Sequence, residues 1–217
     1  MKIGIFGGTF DPIHYGHLRA AEETAERLKL DKVIFVPTNI TSDKKETLLK
    51  PEKRLKMINI AIKSRERFEA SDIEIKRGGF SYSYDTIVQL KYIYPQDELY
   101  FIVGVDTYLG IKNWKNGKKI FDIINFIIVS RACKEPGLNN LTKLKNFLPD
   151  ELKNGIISDY TENRLITSKN KFIYFLKITG LDISSTDIRN NFKNNVSNLF
   201  LLPNEVINYI INNKSYF

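Results

Sequence analysis

The chain has 217 residues, with 33 Lys and Arg against 25 Asp and Glu, and a single cysteine, Cys133. The length suits one α/β domain with a buried core, and one cysteine excludes an intramolecular disulfide and favours a reducing compartment. The apolar stretches 99–105 and 123–129 are too short to cross a membrane, and the run after Lys2 is too short for a signal peptide. We expect a cytoplasmic protein that binds neither membrane nor nucleic acid, because its net charge of +8 is dispersed.

The first predicted strand, residues 2–6, leads into a glycine-rich turn that holds the only two histidines, His14 and His17. An amphipathic helix follows, and its buried side is predicted to carry Leu18, Ala21, Ala25 and Leu28. A helix N-terminus has unpaired N–H groups and partial positive charge, so this turn is a favourable anion site. The spacing places both imidazoles on one helical face, where they could donate hydrogen bonds to one polyphosphate. Zinc binding is not expected, since such sites usually need about three or four protein ligands.

Strand and helix signals alternate through the middle of the chain. The predicted elements are strand 32–36, a loop over 37–50, helix 51–64, strand 68–75 and helix 84–94. Pro51 suits the first position of its helix, whose inner face is predicted to carry Leu55, Ile58 and Ile62. This alternation favours a mostly parallel sheet with helices on both faces.

The runs 99–103 and 126–129 are apolar throughout, as is typical of central strands that are covered on both faces. Asp106 follows the first of these strands. Ligands of open α/β sheets bind at the carboxyl ends of the strands, so we expect Asp106 and the histidine turn to face the same crevice.

The last third of the chain is less regular. Residues 138–170 are polar, and we assign helices there, whereas 171–178 resembles a final strand. A helix opens in the segment 183–189, where Ser184 or Ser185 can serve as the N-cap. Arg189 adds guanidinium donors that match phosphate oxygens, which makes this helix start a second candidate phosphate site.

These residues together resemble a known family. His14-Tyr15-Gly16-His17 matches the HxGH signature of nucleotidylyltransferases, and the wider stretch 7–18 resembles the bacterial nicotinate mononucleotide adenylyltransferases. The resemblance continues through 51–62, 81–86, 102–106, Trp114, 183–189 and 202–206. It implies one nucleotidylyltransferase domain over 1–217, with a Rossmann-like, doubly wound, mostly parallel sheet flanked by helices and a small C-terminal helical portion.

The resemblance also implies a reaction. AMP would pass from ATP to nicotinate mononucleotide, which gives nicotinate adenine dinucleotide and pyrophosphate in NAD biosynthesis. Mg²⁺ is expected on the polyphosphate, without a nominated protein ligand. The implied catalytic residues are His14, His17 and Arg189. The implied ATP-site residues are Gly7, Gly8, Thr9, Phe10, Lys44, Asp106, Ser184 and Ser185. The implied pyridine-site residues are Ser83, Tyr84, Thr86 and Trp114, the last by stacking of the indole on a flat heterocycle.

One segment departs from the family pattern. Relatives often carry Pro-Pro-His before a basic residue after the second strand, whereas residues 41–44 here are Thr-Ser-Asp-Lys. Lys44 keeps the basic position, but the role of this loop in closing over ATP is open.

The same residues argue against two other nucleotide-binding motifs. A dinucleotide-binding fold is disfavoured because the GxGxxG spacing is absent, and a P-loop is excluded because no Gly-Lys-Ser/Thr follows a glycine at the required spacing. Transfer to phosphopantetheine or to an alcohol phosphate, with ATP or CTP as donor, stays open because the phosphate machinery is shared. A non-catalytic nucleotide-binding or RNA-binding regulator is the remaining alternative. The residues decide neither nicotinate against nicotinamide nor the formation of a homo-oligomer.

Overall fold

The computed structural model describes residues 1–41, 47–131 and 141–217, with Arg131 described by its backbone only. Its strands are β1 (Lys2–Gly8), β2 (Lys32–Pro37), β3 (Ile40–Thr41), β4 (Phe68–Ala70), β5 (Phe80–Ser81), β6 (Glu98–Gly104), β7 (Asn125–Arg131), β8 (Ile157–Asp159), β9 (Arg164–Ile166) and β10 (Phe172–Ile178). Its helices are α1 (Tyr15–Leu28), α2 (Pro51–Ile62), α3 (Ile73–Arg77), α4 (Ser83–Ile93), α5 (Val105–Leu109), α6 (Gly117–Ile123), α7 (Leu141–Asn146), α8 (Asp150–Lys153), α9 (Ser185–Lys193) and α10 (Asn204–Asn212), with a 3₁₀ turn at Ile111–Asn113. Among these described helices, none is long and apolar enough to span a membrane.

The main sheet has the strand order β4-β2-β1-β6-β7-β10-β9-β8. The first six strands in this order pair in parallel, and β9 and β8 add an antiparallel edge. From β1 the chain continues to β2 and then to β4 on one side of the sheet. From β6 it continues to β7 and then to β10 on the other side. The order therefore reverses between β1 and β6, and a crevice opens there at the carboxyl ends of the strands. The predicted doubly wound, mostly parallel sheet is confirmed.

Two apolar cores cover the two faces of the sheet. Alternate side chains of β1 enter different cores: Phe6 packs with the α1 side, whereas Ile3 and Ile5 pack with the opposite one. Ala21 and Ala25 are buried in the first core, and partly buried Leu18 and Leu28 pack against it, as predicted. Because β1 is covered on both faces, the turn that follows it starts from a rigid position.

The predicted strand 68–75 is wrong beyond Ala70. The backbone there turns into α3, where the N–H of Lys76 donates to the carbonyl of Asp72 at 2.8 Å. The helix ends at Gly78, whose φ of 71° lies in the left-handed region that glycine tolerates. A run of so few residues fits the periodicity of a strand as well as that of a helix. The pattern alone therefore could not separate a strand from a strand followed by a helical turn.

Four further short strands were absent from the predicted set. The expected loop 37–50 contains β3, which pairs in parallel with β5 at the margin of the crevice. Residues 138–170 contain α7 and α8 as expected, but also β8 and β9, which form a hairpin against β10. Strands this short depend on pairing with distant residues, which local periodicity does not reveal.

The inner face of α2 differs from the prediction at one position. Ile58 and Ile62 are buried as expected, and Leu55 is half-buried. Arg54 is completely buried beside them, although it is the type of residue most often found in solvent.

Candidate active site

A cavity of about 900 Å³ lies at the carboxyl ends of β1, β2 and β6. This volume is within the range of small-molecule sites. Nine of the predicted site residues line it, namely Gly7, Gly8, Thr9, Phe10, His17, Ser83, Thr86, Asp106 and Trp114. The sheet topology thus brings together residues from the first quarter of the chain and residues between positions 83 and 114.

The two histidines form a stacked pair at the start of α1. His14 is the N-cap, with extended backbone, and its ring lies 3.7 Å from the ring of His17, at an interplanar angle of 26°. The backbone N–H of His14 donates to Nδ1 of His17 at 3.3 Å. Because Nδ1 accepts this bond, neutral His17 carries its proton on Nε2. His14 is buried, so His17 is the member of the pair that lines the cavity.

Glycine at position 16 makes this stacking possible. A Cβ built there would lie 3.0 Å from Cε1 and Nδ1 of His14, closer than side chains normally approach. A larger residue would therefore push the His14 ring away from its partner. The glycine of the HxGH signature is explained by the packing of the histidine that precedes it.

Phe10 supports the same pair from the strand side. Its φ of 49° is unusual for a bulky residue and costs on the order of 1–3 kcal/mol. The ring is almost fully buried and meets His17 edge-on at 5.0 Å between centroids. The strained backbone thus places an aromatic wall beside the imidazole that faces the cavity.

Helix α9 packs directly on the histidine turn. Ser184 is its N-cap and accepts a hydrogen bond from the backbone N–H of Asp187, as predicted. Oγ of Ser185 donates to the carbonyl of Pro12 at 2.9 Å, and Nη1 of Arg189 donates to the carbonyl of Asp11 at 2.8 Å. Ser184, Ser185 and Arg189 do not line the cavity. The structure shows Ser185 and Arg189 holding α9 against the turn that carries the histidines, whereas Ser184, among the described residues, bonds only within its own helix.

The other end of the cavity contains a buried polar cluster. Oγ1 of Thr86 donates to a carboxylate oxygen of Glu74 at 2.5 Å and accepts from Nη2 of Arg77 at 3.0 Å. Nη1 of Arg77 donates to Gln89 at 2.7 Å, which fixes the guanidinium from the other side. The Thr86 hydroxyl is therefore held in one orientation at the cavity wall.

Aromatic side chains complete that end. The half-buried Trp114 meets Phe101 edge-on at 6.2 Å between ring centroids, and its side chain lines the cavity. Nζ of Lys115 lies 4.2 Å from the centre of the Tyr82 ring, and both residues also line the cavity. Tyr84 was predicted to contact the pyridine. It does not line the cavity and packs instead against the apolar core that contains Ile3 and Ile5.

The remaining predicted residues of the ATP site are Asp106 and Lys44. Asp106 is exposed in the first turn of α5, just past β6, and lines the cavity as its position after the strand predicted. Lys44 lies outside the described residues.

Buried Arg54 bonds to the backbone of segments beside the cavity, and no local sequence pattern had predicted this role. Its guanidinium donates to the carbonyls of Leu49, Thr9, Thr38 and Asn39, at 3.1, 2.6, 2.5 and 3.2 Å respectively. Burial lowers the pKa of Arg54, while nearby Asp11 acts in the opposite direction. The side chain thereby joins the turn after β1 to the segment after β2.

Further polar residues that no sequence pattern had singled out also line the cavity, namely Thr38, Thr41, Glu74, Thr107, Asn113 and Lys115. Thr38 and Thr107 could have been found, because each follows the carboxyl end of a parallel strand, the edge at which ligands bind. Glu74 and Lys115 carry no such signal. Within the described ranges, no cluster of three or more His, Cys, Asp or Glu side chains is arranged to hold a metal ion.

Comparison with known proteins gives consistent relatives. Residues 5–191 match the family model described as cytidylyltransferase-like. The probable nicotinate-nucleotide adenylyltransferase of Geotalea daltonii is 41% identical, and the alignment covers 100% of this chain and 98% of that relative. The protein of the same description from Carboxydothermus hydrogenoformans is 37% identical, with coverage of 99% and 98%.

A solved structure has the same fold. The Plasmodium falciparum nicotinic acid mononucleotide adenylyltransferase complexed with NaAD superposes with a TM-score of 0.75 at 22% identity. The match covers 99% of this chain and 97% of that chain. The similarity extends over the whole sheet and its flanking helices.

Proposed function

This chain belongs to the nicotinate-nucleotide adenylyltransferases, within the cytidylyltransferase-like family, and we propose that it transfers AMP from ATP to nicotinate mononucleotide. A phosphate oxygen of the mononucleotide attacks the α-phosphorus of ATP. The bond from that phosphorus to the bridging oxygen of the β-phosphate breaks, and pyrophosphate leaves. The product is nicotinate adenine dinucleotide.

The observation that carries this proposal is the contact between two candidate phosphate sites. Ser185 and Arg189 bond to the backbone of the turn that holds His14 and His17, and that turn forms one wall of the cavity. A single triphosphate therefore has both regions within reach. The substrate phosphate is itself the nucleophile, so alignment of two anions is the main task of the protein.

His17 is the residue best placed to act on the transferring phosphoryl group. Its Nε2–H is a donor when the ring is neutral, and its ring is held by His14 and Phe10. A donor that is already oriented loses little free energy to reorganisation when charge develops in the transition state. Gly7, Gly8, Thr9 and Phe10 would surround the nucleotide, and Ser184, Ser185 and Arg189 would hold the departing phosphates.

The acceptor nucleotide would occupy the end of the cavity that contains Trp114 and Thr86. The indole offers a flat apolar face on which a pyridine ring can stack. Ser83 and the oriented Thr86 hydroxyl supply polar contacts beside it. Asp106, which also lines the cavity, would contact a ribose hydroxyl.

Mg²⁺ would enter as part of the ATP substrate. An ion of this kind commonly takes most of its ligands from phosphate and water. When bound, the ion supplies charge neutralisation of the polyphosphate.

Pyrophosphate release from ATP tests the proposal directly. The acceptor panel contains nicotinate mononucleotide, nicotinamide mononucleotide, phosphopantetheine and an alcohol phosphate, with CTP as a second donor. We expect the highest kcat/KM for ATP with nicotinate mononucleotide. A preference for another acceptor would move the chain to a different reaction of the same superfamily. Binding of ATP without turnover of any acceptor would instead support a non-catalytic regulator.

A further inference from the structure

Asp11 is a buried carboxylate at the centre of the histidine turn. Only 3% of the residue is exposed, and both of its carboxylate oxygens accept hydrogen bonds. Oδ2 of Asp11 accepts from the backbone N–H of Leu48 at 2.7 Å, and the backbone carbonyl of Asp11 accepts from Arg189 at 2.8 Å. Asp11 thus joins three separate segments of the chain three positions before His14.

The second carboxylate oxygen is bound by Tyr216. The hydroxyl of this tyrosine donates to Oδ1 of Asp11 at 2.5 Å, across 205 positions of sequence. Its ring stacks against Phe192 of α9, with 6.2 Å between centroids and an interplanar angle of 27°. One side chain therefore contacts both the histidine turn and the helix that carries Arg189.

The backbone around Tyr216 is shaped to bring it inward. Lys214 and Tyr216 have φ values of 46° and 71°, in the left-handed region that bulky residues rarely occupy. Ser215 between them is buried, and its N–H donates to the carbonyl of Ile210 at 3.0 Å. Strained backbone persists only where surrounding contacts hold it, and such positions cluster at functional sites.

We infer that Tyr216 and Asp11 are positioning residues, which hold the histidine turn and α9 in the relative arrangement that AMP transfer requires. This role rests on the proposed function. Both residues are buried and neither lines the cavity, so neither is expected to touch substrate. A misplacement of the turn by about 1 Å could reduce turnover by up to about a hundredfold without altering a substrate contact.

The variant Tyr216→Phe tests the inference, because it removes the hydroxyl and leaves the ring against Phe192. We expect kcat to fall by about five- to a hundredfold, with KM for nicotinate mononucleotide changed by less than about twofold. Tyr100→Phe is the matched control. Tyr100 is also buried, but it lies in the interior of β6 and does not line the cavity. The kcat of Tyr100→Phe should therefore stay within about twofold of the wild type.

A double-variant cycle separates positioning from general stability. Asp11→Asn and Tyr216→Phe alter the same hydrogen bond. The kcat loss of the double variant should therefore equal the larger of the two single losses and not the product of both. Multiplicative losses would overturn the inference, as would a Tyr216→Phe kcat within twofold of the wild type. Thermal unfolding is recorded for each variant. If Tyr216→Phe unfolds below the assay temperature, the same kcat criterion is applied to Asp11→Asn.

The affinity for ATP distinguishes this inference from the proposed function. ATP binding is measured by calorimetry on the wild type, Tyr216→Phe and Tyr100→Phe, and it does not depend on the identity of the acceptor. If the wild type turns over none of the acceptors, the proposed function fails. Weakening of ATP binding by at least fivefold in Tyr216→Phe alone then supports the positioning role, and an unchanged affinity overturns it.

Discussion

Arg189 donates a hydrogen bond to the backbone carbonyl of Asp11, although 178 positions of sequence separate the two residues. The bond fixes α9 beside the turn that leads to the histidine pair. Charged donors to neutral acceptors are among the stronger hydrogen bonds, and here the bond is partly shielded from water. The relative position of the two candidate phosphate sites is therefore a property of the folded protein before ATP arrives.

Loss of the His17 imidazole should affect turnover more than binding. We expect His17→Ala to lower kcat by about 10²–10³-fold, the usual effect of removing a donor that acts on the transition state. KM for nicotinate mononucleotide should change by less than about threefold. Steady-state pyrophosphate release measures both quantities.

The variant His17→Asn is the control for a purely structural role. Its side-chain oxygen can still accept the N–H of His14, the bond that Nδ1 of His17 accepts at 3.3 Å, but it has no donor at the Nε2 position. It should keep the hydrogen bond at the start of α1 and turn over as slowly as His17→Ala. Near-normal turnover in either variant would remove His17 from the mechanism.

Trp114 should contribute mainly to acceptor binding. Stacking on an aromatic side chain is worth about 1–3 kcal/mol, so Trp114→Ala should raise KM for nicotinate mononucleotide by roughly five- to a hundredfold. KM for ATP should change much less. Trp114→Phe retains a flat face and should lie between the wild type and the alanine variant. An unaltered KM for the acceptor would assign Trp114 to packing against Phe101.

Removal of Arg54 should destabilise the whole protein. Its guanidinium serves the carbonyls of Leu49, Thr9, Thr38 and Asn39, and Arg54→Met would leave those buried acceptors without it. We expect the free energy of unfolding in urea to fall by about 3–5 kcal/mol. Arg65→Met is the comparison, because Arg65 pairs with Glu22 at the surface and should cost less than about 1 kcal/mol. Equal losses would contradict the organising role of Arg54.

Glu23 should make stability depend on acidic pH. This buried carboxylate on α1 accepts from the backbone N–H of Thr179 at 3.0 and 3.1 Å and from Arg19 at 2.6 Å. Burial alone would raise the pKa of Glu23, but these hydrogen bonds outweigh it and hold the pKa below its ordinary value of 4.5. A lowered folded-state pKa adds stability above the ordinary value, and that stability is lost as pH falls through the folded-state pKa.

The variant Glu23→Gln should therefore be less stable than the wild type at neutral pH, by about 1–3 kcal/mol. The difference should shrink progressively as the pH falls below the ordinary value of 4.5. Glu26→Gln is the control on the same helix, because Glu26 is exposed and its loss should cost less than about 0.5 kcal/mol. A difference between Glu23→Gln and the wild type that is independent of pH would show that the charge of Glu23 is not responsible.

The fold class and the histidine turn could be predicted because both depend on local patterns. The fully apolar runs that became β6 and β7 identified buried parallel strands, and the glycine-rich turn between β1 and α1 identified the wall of the cavity. The switch from a strand to a helix is encoded by neighbouring residues. Short elements such as α3 and β9 were missed because a few residues fit either period equally well.

The amino-acid sequence by itself therefore determined the longer strands and helices and the turn that carries the imidazoles. Only the tertiary structure decided that Arg54 is buried beneath that turn, that Arg189 reaches Asp11, and that Tyr216 reaches the same carboxylate. These contacts join residues 45, 178 and 205 positions apart. Nothing local distinguishes such side chains from solvated ones, because their partners are backbone carbonyls and a carboxylate that only the completed sheet brings within hydrogen-bond distance.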